Sequence, residues 1–367
     1  WVVLLAPAIK LAREGFFVHP QLAENTSDAA ESFERGGVNF NRYFSGMRAR
    51  ELFRQPELAA TLQRISENGA REFYTGETAG MIVEEMQRGG GLINASDLAD
   101  YKVIWREPLE IPWRGYRLLS APPPSSGGIA LMQLLQMKDE LHEQFQGLSH
   151  NSVQYIHLVA EMEKRVFADR AEYAGDPEFV EVPAGRLVSA EYVSSRAAEV
   201  SPTTISKLEG VRPGLESKDT THFSILDFDG NAVSNTYTLN ASFGSGVVVG
   251  GAGFLLNDEM DDFSSKPGVP NQYGVVGGDA NAIEPGKRML SSMSPTILIK
   301  NGKPVVVVGT PGGSTIFTSV FQVMVNLMDF DMSPEKAVSS TRFHHQLLPS
   351  DEVTFDPGIP LPTRTVE

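Results

Sequence analysis

The sequence predicts a layered α/β body, helices packed on antiparallel hairpins, and three observations predict it. In the first 200 residues apolar side chains recur at three- and four-residue spacing, the period of helices with one buried face. After Asp219 the text turns to β-rich runs broken by Asp229-Gly230 and Asn301-Gly302, dipeptides that favour hairpin turns. Helical spacing then resumes after Gly313, so the strands have helices to cover them.

The elements follow in order. Val3 to Phe16 carries Leu4, Leu5, Ile9, Leu11 and Ala12 on a stripe that reads as core-facing. Pro56 to Asn68 stops at Gly69, and Thr78 to Gln87 stops at Gly89–Gly91, glycine being the residue that closes helices most readily. A loop, Pro122-Pro123-Pro124-Ser125-Ser126-Gly127-Gly128, feeds a helix from about Ile129 to Leu141, and a longer one runs from Ser152 to about Tyr173. Ser201 to Asp219 loses periodicity and reads as an exposed connector. His222–Phe228 with Asn231–Leu239, and Thr296–Lys300 with Pro304–Val308, then form two hairpins expected to share one sheet system. Val305–Val308 is apolar throughout, which predicts cover on both faces. The closing helices are Ser314–Met328 and one capped by Ser333 with Pro334 at its first position.

Composition narrows the chemistry. The 367 residues are 41% hydrophobic and 21% charged, near the average for globular proteins, and the net charge of −15 argues against nucleic acid or anionic lipid as partners. The absence of Cys removes disulfides, thiolate catalysis and Cys-ligated zinc. No apolar run approaches the ~20 residues of a membrane-spanning helix. The chain opens on Trp1 without a Met or a signal segment, and it reads as the interior of a longer polypeptide.

Four clusters can carry chemistry. If the first hairpin closes with three residues and Gly230 left-handed, Thr220 lies opposite Thr238; a two-residue loop puts it opposite Leu239 instead. A Thr hydroxyl is a poor nucleophile without a base, and cutting the chain before Thr220 would free an α-amine able to take its proton. Gly309-Thr310-Pro311-Gly312-Gly313-Ser314-Thr315 turns from a strand into a helix, a geometry suited to a phosphate cradle or an oxyanion hole. It lacks the Lys of a P-loop, which sets nucleotide binding aside. Asn257-Asp258-Glu259-Met260-Asp261-Asp262-Phe263 reads as a solvated loop, a carboxylate metal site or a cradle for a substrate ammonium. Ser291-Ser292 reads as an ordinary turn or as two hydroxyls gripping a carboxylate. His344-His345 has no further ligand at metal spacing and reads as structural.

Taken together these residues resemble the γ-glutamyltransferase (γ-glutamyl transpeptidase) family of N-terminal-nucleophile hydrolases. The similarity runs from Trp1 to about Pro349, most specifically through Thr220–Ser224, Thr236–Asn240, Met260–Phe263, Gly277–Ala282, Lys287–Pro295 and Pro311–Ser314. It implies a four-layer αββα sandwich, truncated here at both ends, made as a precursor that cleaves itself between Asp219 and Thr220. Residues 1–219 would form the large-subunit portion and 220–367 the small, the two staying associated as one body. Thr220 would be the nucleophile supported by Thr238, with Gly312 and Gly313 as the oxyanion hole. Asn240, Glu259 and Asp262 would hold the substrate's α-amino end, Ser291 and Ser292 its α-carboxylate, and Tyr273 would gate a lid over Pro267 to Gly277.

The family also uses an Arg upstream of this segment on the α-carboxylate, and no residue here matches it. The activity implied is γ-glutamyl transfer from glutathione or a related compound to water or to an amino acid or peptide, with no metal or cofactor. Two alternatives are a cephalosporin (glutaryl) acylase-like amide hydrolase of the same fold and an uncleaved, non-catalytic binding relative. The resemblance implies export to the periplasm or beyond.

Overall fold

The computed structural model describes residues 1–206, 220–264, 266, 277–347 and 352–355. It divides into two compact units, Trp1–Trp105 with Phe243–Asp258, and Arg106–Ser242 with Glu259–Glu367. The second unit therefore contains residues from both sides of the 219/220 junction.

The first unit is mainly helical. It begins with α1 (Val2–Glu14), β1 (Phe16–Phe17), α2 (Pro20–Arg35) and α3 (Phe40–Phe44), and β2 (Leu52–Phe53) then pairs with β1. α4 (Pro56–Asn68), α5 (Ala70–Thr75), α6 (Glu77–Gly89) and α7 (Ala95–Asp100) complete it. α4 has the expected bounds, and its chain leaves through Gly69 at φ 68°. α6 runs past Gln87 and closes on Gly90 in the left-handed conformation. The stripe expected on α1 is corrected: Ile9 and Ala12 are buried, while Leu4 and Leu11 are 79% and 56% exposed. α4 packs against α1, and the Leu4/Leu11 face, one heptad apart, lies away from that contact. The returning segment 243–258 is clasped by the Asn39 amide, which donates to Val248 O and accepts from Val248 N, both at 2.8 Å.

The second unit is built on a sheet of order β3-β4-β7-β8, from β3 (Leu109–Trp113), β4 (Tyr116–Ser120), β7 (Thr296–Lys300) and β8 (Lys303–Val308). The hairpin β3–β4 turns on Arg114 and Gly115, both at positive φ, and Pro112 is tolerated because β3 is an edge strand. One face of this sheet presents Ile111, Trp113, Leu118, Leu298, Val306 and Val308 to a core shared with three helices. They are α8 (Gly127–Glu140), α10 (Val153–Tyr173) and α13 (Thr315–Met328). Short α9 (His142–Phe145), α11 (Ala184–Leu187), α12 (Ala190–Ala198) and α14 (Pro334–Ser339) fill the edges.

α8 starts two residues earlier than expected because Gly127 and Gly128 let its first turn press on other backbone. A Cβ on Gly127 would stand 2.5 Å from Ser292 O, and one on Gly128 would collide with Ala121 O.

The first hairpin, β5 (Thr221–Leu226) and β6 (Ala232–Tyr237), forms a separate two-stranded sheet, so the expected single sheet system is corrected. The two hairpins meet through a side chain instead: the Ser234 hydroxyl donates to Val308 O at 3.0 Å and accepts from Thr296 N at 3.1 Å. Because Thr296 and Val308 are ladder partners, one hydroxyl ties the end of the larger sheet to the hairpin over it. Between them Leu119, Ile297 and Ile299 face Ala232 and Ser234 across a cavity of about 490 Å³.

Val305 is 50% exposed, which corrects the expected two-sided cover of β8; Val306 and Val308 alternate onto the core face, and Val305, the extra residue of a bulge beside Leu298 and Ile299, turns away. The described residues thus show helix, sheet and sheet in succession, and on the hairpin's outer face Phe223, Ile225, Val233 and Tyr237 are exposed.

Candidate active site

The register of the first hairpin decides where Thr220 points. Asp227 Oδ1 accepts from Asp229 N at 3.0 Å and Asn231 N at 2.8 Å, while Gly230 takes φ 87°. Phe228, Asp229 and Gly230 therefore make a three-residue loop, and the pairs run Leu226↔Ala232 to Thr221↔Tyr237. Continuing that register sets Thr220 opposite Thr238, and their hydroxyl oxygens stand 3.5 Å apart. Thr238 Oγ1 also accepts from Asn240 N at 2.9 Å, and Asn240 turns the chain at φ 73° with its side chain buried.

Thr220 and Thr238 open onto a small cleft lined also by Asn240, Asp262, Leu290, Ser291, Ser292 and Gly313. Among the described residues, none of the predicted site residues lines the larger cavity between the sheets. Gly312 and Gly313 adopt φ 137° and 56°, and Ser314 enters the helical region to start α13. Gly312 O accepts from Thr315 N and Thr315 Oγ1 at 3.0 and 2.8 Å, which fixes the turn. Gly313 lines the cleft at the N-terminus of α13, where the first amides of a helix have no partners within the helix and suit a developing anion.

The segment bearing the acidic cluster forms a 3-10 turn, Glu259–Asp262. Asp262 reaches the cleft, whereas Glu259, at the other end of the turn, is not among the lining residues. Also lining the cleft, Ser291 is woven into the Pro-rich loop: its N–H donates to Pro124 O at 2.9 Å, and its carbonyl accepts from Ser126 N at 2.8 Å. Ser292 is 7% exposed, and its hydroxyl accepts from Arg170 Nη2 at 3.2 Å. Asp219 and Tyr273 lie outside the described residues.

Sequence reasoning missed Arg170 and Ser126. Arg170, from α10, is buried and donates from Nε to Ser126 Oγ at 3.1 Å, so one guanidinium braces both Ser126 and Ser292. An arginine on a long, otherwise core-forming helix was the available signal. The first hairpin's histidine is engaged elsewhere. His222 places Nδ1 2.8 Å from Thr236 Oγ1 and Nε2 3.0 Å from Ser224 Oγ, and burial pushes its pKa down. His344 pairs through Nδ1 with Thr318 Oγ1 at 3.0 Å, and His345 Nδ1 lies 2.7 Å from Glu352 O, both buried around the start of α13. Among the described residues no three His, Cys, Asp or Glu are grouped as a metal would require.

The Gamma-glutamyltranspeptidase family model matches residues 1–366. The chain belongs to the γ-glutamyltranspeptidase family. It is 60% identical over 367 residues to the glutathione hydrolase proenzyme of Pseudomonas aeruginosa, covering all of this chain and 66% of that protein. Among solved structures it is similar to a γ-glutamyltranspeptidase from Pseudomonas nitroreducens, with a TM-score of 0.55 and 49% identity over 56% of this chain and 62% of that one. It is also similar to a cephalosporin acylase from Bacillus halodurans, with a TM-score of 0.79 and 29% identity over 97% of this chain and 63% of that one. The chain therefore spans about two thirds of the length of these family relatives. The α+β sandwich of the N-terminal-nucleophile hydrolases is its fold class.

Proposed function

We propose that this chain carries the nucleophile and most of the donor site of a γ-glutamyltransferase that acts on glutathione or a related γ-glutamyl compound. One observation carries the reading: the Thr220–Thr238 hydroxyl pair opens on a single cleft with Gly313, Asn240, Asp262, Ser291 and Ser292.

In the continuous chain the Thr220 nitrogen is an amide and has no basicity to offer. Cleavage of the Asp219–Thr220 bond turns it into an α-amine that takes the hydroxyl proton as Thr220 Oγ attacks the γ-carbonyl. Thr238 supports the hydroxyl, and the Gly312 and Gly313 amides stabilise the tetrahedral oxyanion. Collapse expels the leaving amine, protonated by the same α-amine, and leaves a γ-glutamyl ester on Thr220. Water, an amino acid or a peptide then takes the acyl group and the hydroxyl recovers its proton. Asn240, Glu259 and Asp262 hold the donor's ammonium, and Ser291 and Ser292 its α-carboxylate, with Tyr273 gating the site. The chemistry is supplied by side chains and backbone alone, with no metal or cofactor.

Cleavage would leave 219 residues upstream and 148 downstream. The pieces have good reason to stay together: β4 and β7 pair across the junction, and α8 and α10 share their core with α13. Among the described residues no helix is long and apolar enough to cross a membrane. On the family resemblance alone we place the enzyme in the periplasm or outside the cell.

Thr220→Ala should abolish both maturation and turnover. A denaturing gel should show one uncleaved chain, and a γ-glutamyl anilide should release no chromophore; two pieces on that gel would overturn the assignment. The similarity to the B. halodurans acylase supports a second reading, an amide hydrolase with a glutaryl pocket. Turnover of a glutaryl anilide in preference to the γ-glutamyl anilide would favour it.

A further inference from the structure

The Gly277–Ala282 stretch belongs to the family resemblance but has no role in the mechanism above. Its Asn281 lies in a 3-10 turn, Asp279–Asn281, is 3% exposed, and is not among the residues that line the cleft. Its side chain nevertheless joins two cleft walls. Asn281 Nδ2 donates to Asp262 O at 2.7 Å, and Asn281 Oδ1 accepts from Leu290 N at 3.1 Å. Asp262 stands on the wall assigned to the substrate's ammonium. Leu290 leads directly into Ser291 and Ser292, assigned to the carboxylate.

The main chain strengthens the link. Ser264 N donates to Asn281 O at 2.9 Å, and Ser264 and Ala282 form a parallel bridge, so the turn is fastened two residues beyond Asp262. The segment is also close-fitting: Gly278 N donates to Ala171 O at 3.0 Å, and a Cβ on Gly278 would stand 2.7 Å from that same oxygen. Ala171 follows Arg170, the residue that braces Ser292. The turn carrying Asn281 is therefore fixed from the carboxylate side as well.

We propose that Asn281 is a positioning residue that sets the spacing between the ammonium-binding and carboxylate-binding walls, and so selects donors bearing both groups on one α-carbon. This rests on the γ-glutamyl reading above. A primary amide suits the task because it offers a donor and an acceptor from one short, planar group. Asp keeps the acceptor for Leu290 N but sets a second oxygen against Asp262 O; Ala supplies neither bond.

The test is steady-state kinetics of Asn281→Ala and Asn281→Asp against the parent on a γ-glutamyl anilide, with rates normalised to the processed fraction measured on a denaturing gel. The expected result is a KM raised about tenfold in Asn281→Ala, as two lost hydrogen bonds imply, with kcat within about threefold of the parent. Asn281→Asp, nearly the same in shape, should process normally and still show the raised KM. A purely structural role would lower the processed fraction and melting temperature while leaving the KM of the processed enzyme unchanged. An unchanged KM in Asn281→Asp, with the parent active, overturns the proposal alone. A processed parent with no γ-glutamyl turnover overturns the functional reading on which it rests.

Discussion

Two walls of the cleft are built in opposite ways. The wall proposed to carry the nucleophile is local: a hairpin of consecutive strands, fixed by an Asp227 turn and Gly230, places Thr220 opposite Thr238 through contacts at most eighteen residues apart. The wall proposed to bind the carboxylate is assembled from distance. Ser291 and Ser292 have no strand of their own and are held by Pro124, Ser126 and Arg170, all more than a hundred residues away in sequence. A local wall can be changed by altering one turn, whereas an assembled wall responds to any of the pieces that converge on it. Substitutions far from the chemistry should therefore damage the second wall more than the first.

The largest expected effect tests that directly. Gly127→Ala adds one methyl group, which would meet Ser292 O at 2.5 Å and Met293 O at 2.6 Å, all backbone and unable to swing aside. Relief requires α8 or the 291–293 loop to move, at a cost of about 1–3 kcal/mol. The melting temperature should fall and the KM for the γ-glutamyl donor should rise together, because the displaced group belongs to the proposed binding wall. Calorimetry and donor kinetics on the same preparation check both.

Gly230→Ala is the matching change on the local wall and should do less. Among the described residues no atom lies within 4 Å of the added methyl, so the penalty is the left-handed backbone at φ 87°, about 1–2 kcal/mol. The loop sits at the far end of the hairpin from Thr220, and the turnover of the processed enzyme should stay within about twofold of the parent. A tenfold loss of kcat would show that the hairpin passes strain along its length and would remove the contrast between the walls.

The same contrast governs what could be read without coordinates. Hairpin signals at Asp229-Gly230 and Asn301-Gly302 are local chemistry, and both hairpins are where those dipeptides put them; only the length of the first loop stayed open, because an Asp-Gly pair suits two loop sizes. The β3–β4 hairpin escaped because Pro112 lies inside a strand, and only its edge position makes that tolerable. Sharing of one sheet by the two hairpins was also misjudged, since the Ser234 contact that relates them is not encoded in either run. Arg170, Ser126 and Asn281 act across long loops, so spacing could not reveal them. Gly127-Gly128 was the legible trace of that assembly: two glycines opening an apolar helix mark a place where backbone meets backbone.

The smallest effect separates the walls by pH. On the hairpin, burial holds His222 below its ordinary pKa, while in the unfolded chain it titrates near ~6.5. On α10, the helix that carries Arg170, burial alone would raise Glu161, but Lys164 and the hydroxyl and amide of Ser206 outweigh it and bring Glu161 down to about 2. Both groups have folded pKa values below their unfolded ones, so both contribute stability that disappears as pH falls, but in different windows. For His222 the loss begins as the unfolded chain takes up a proton near pH 6.5. For Glu161 it begins near ~4.5 and continues towards 2. Melting temperature measured from pH 7.5 to 3.5 should therefore decline in two stages. His222→Gln should shallow the stage above pH 5, to which His150, also pushed down by burial, contributes, and leave the acid limb, and Glu161→Gln should do the reverse. If His222→Gln left the upper stage unchanged, the hairpin would not be the part of the unit that weakens first.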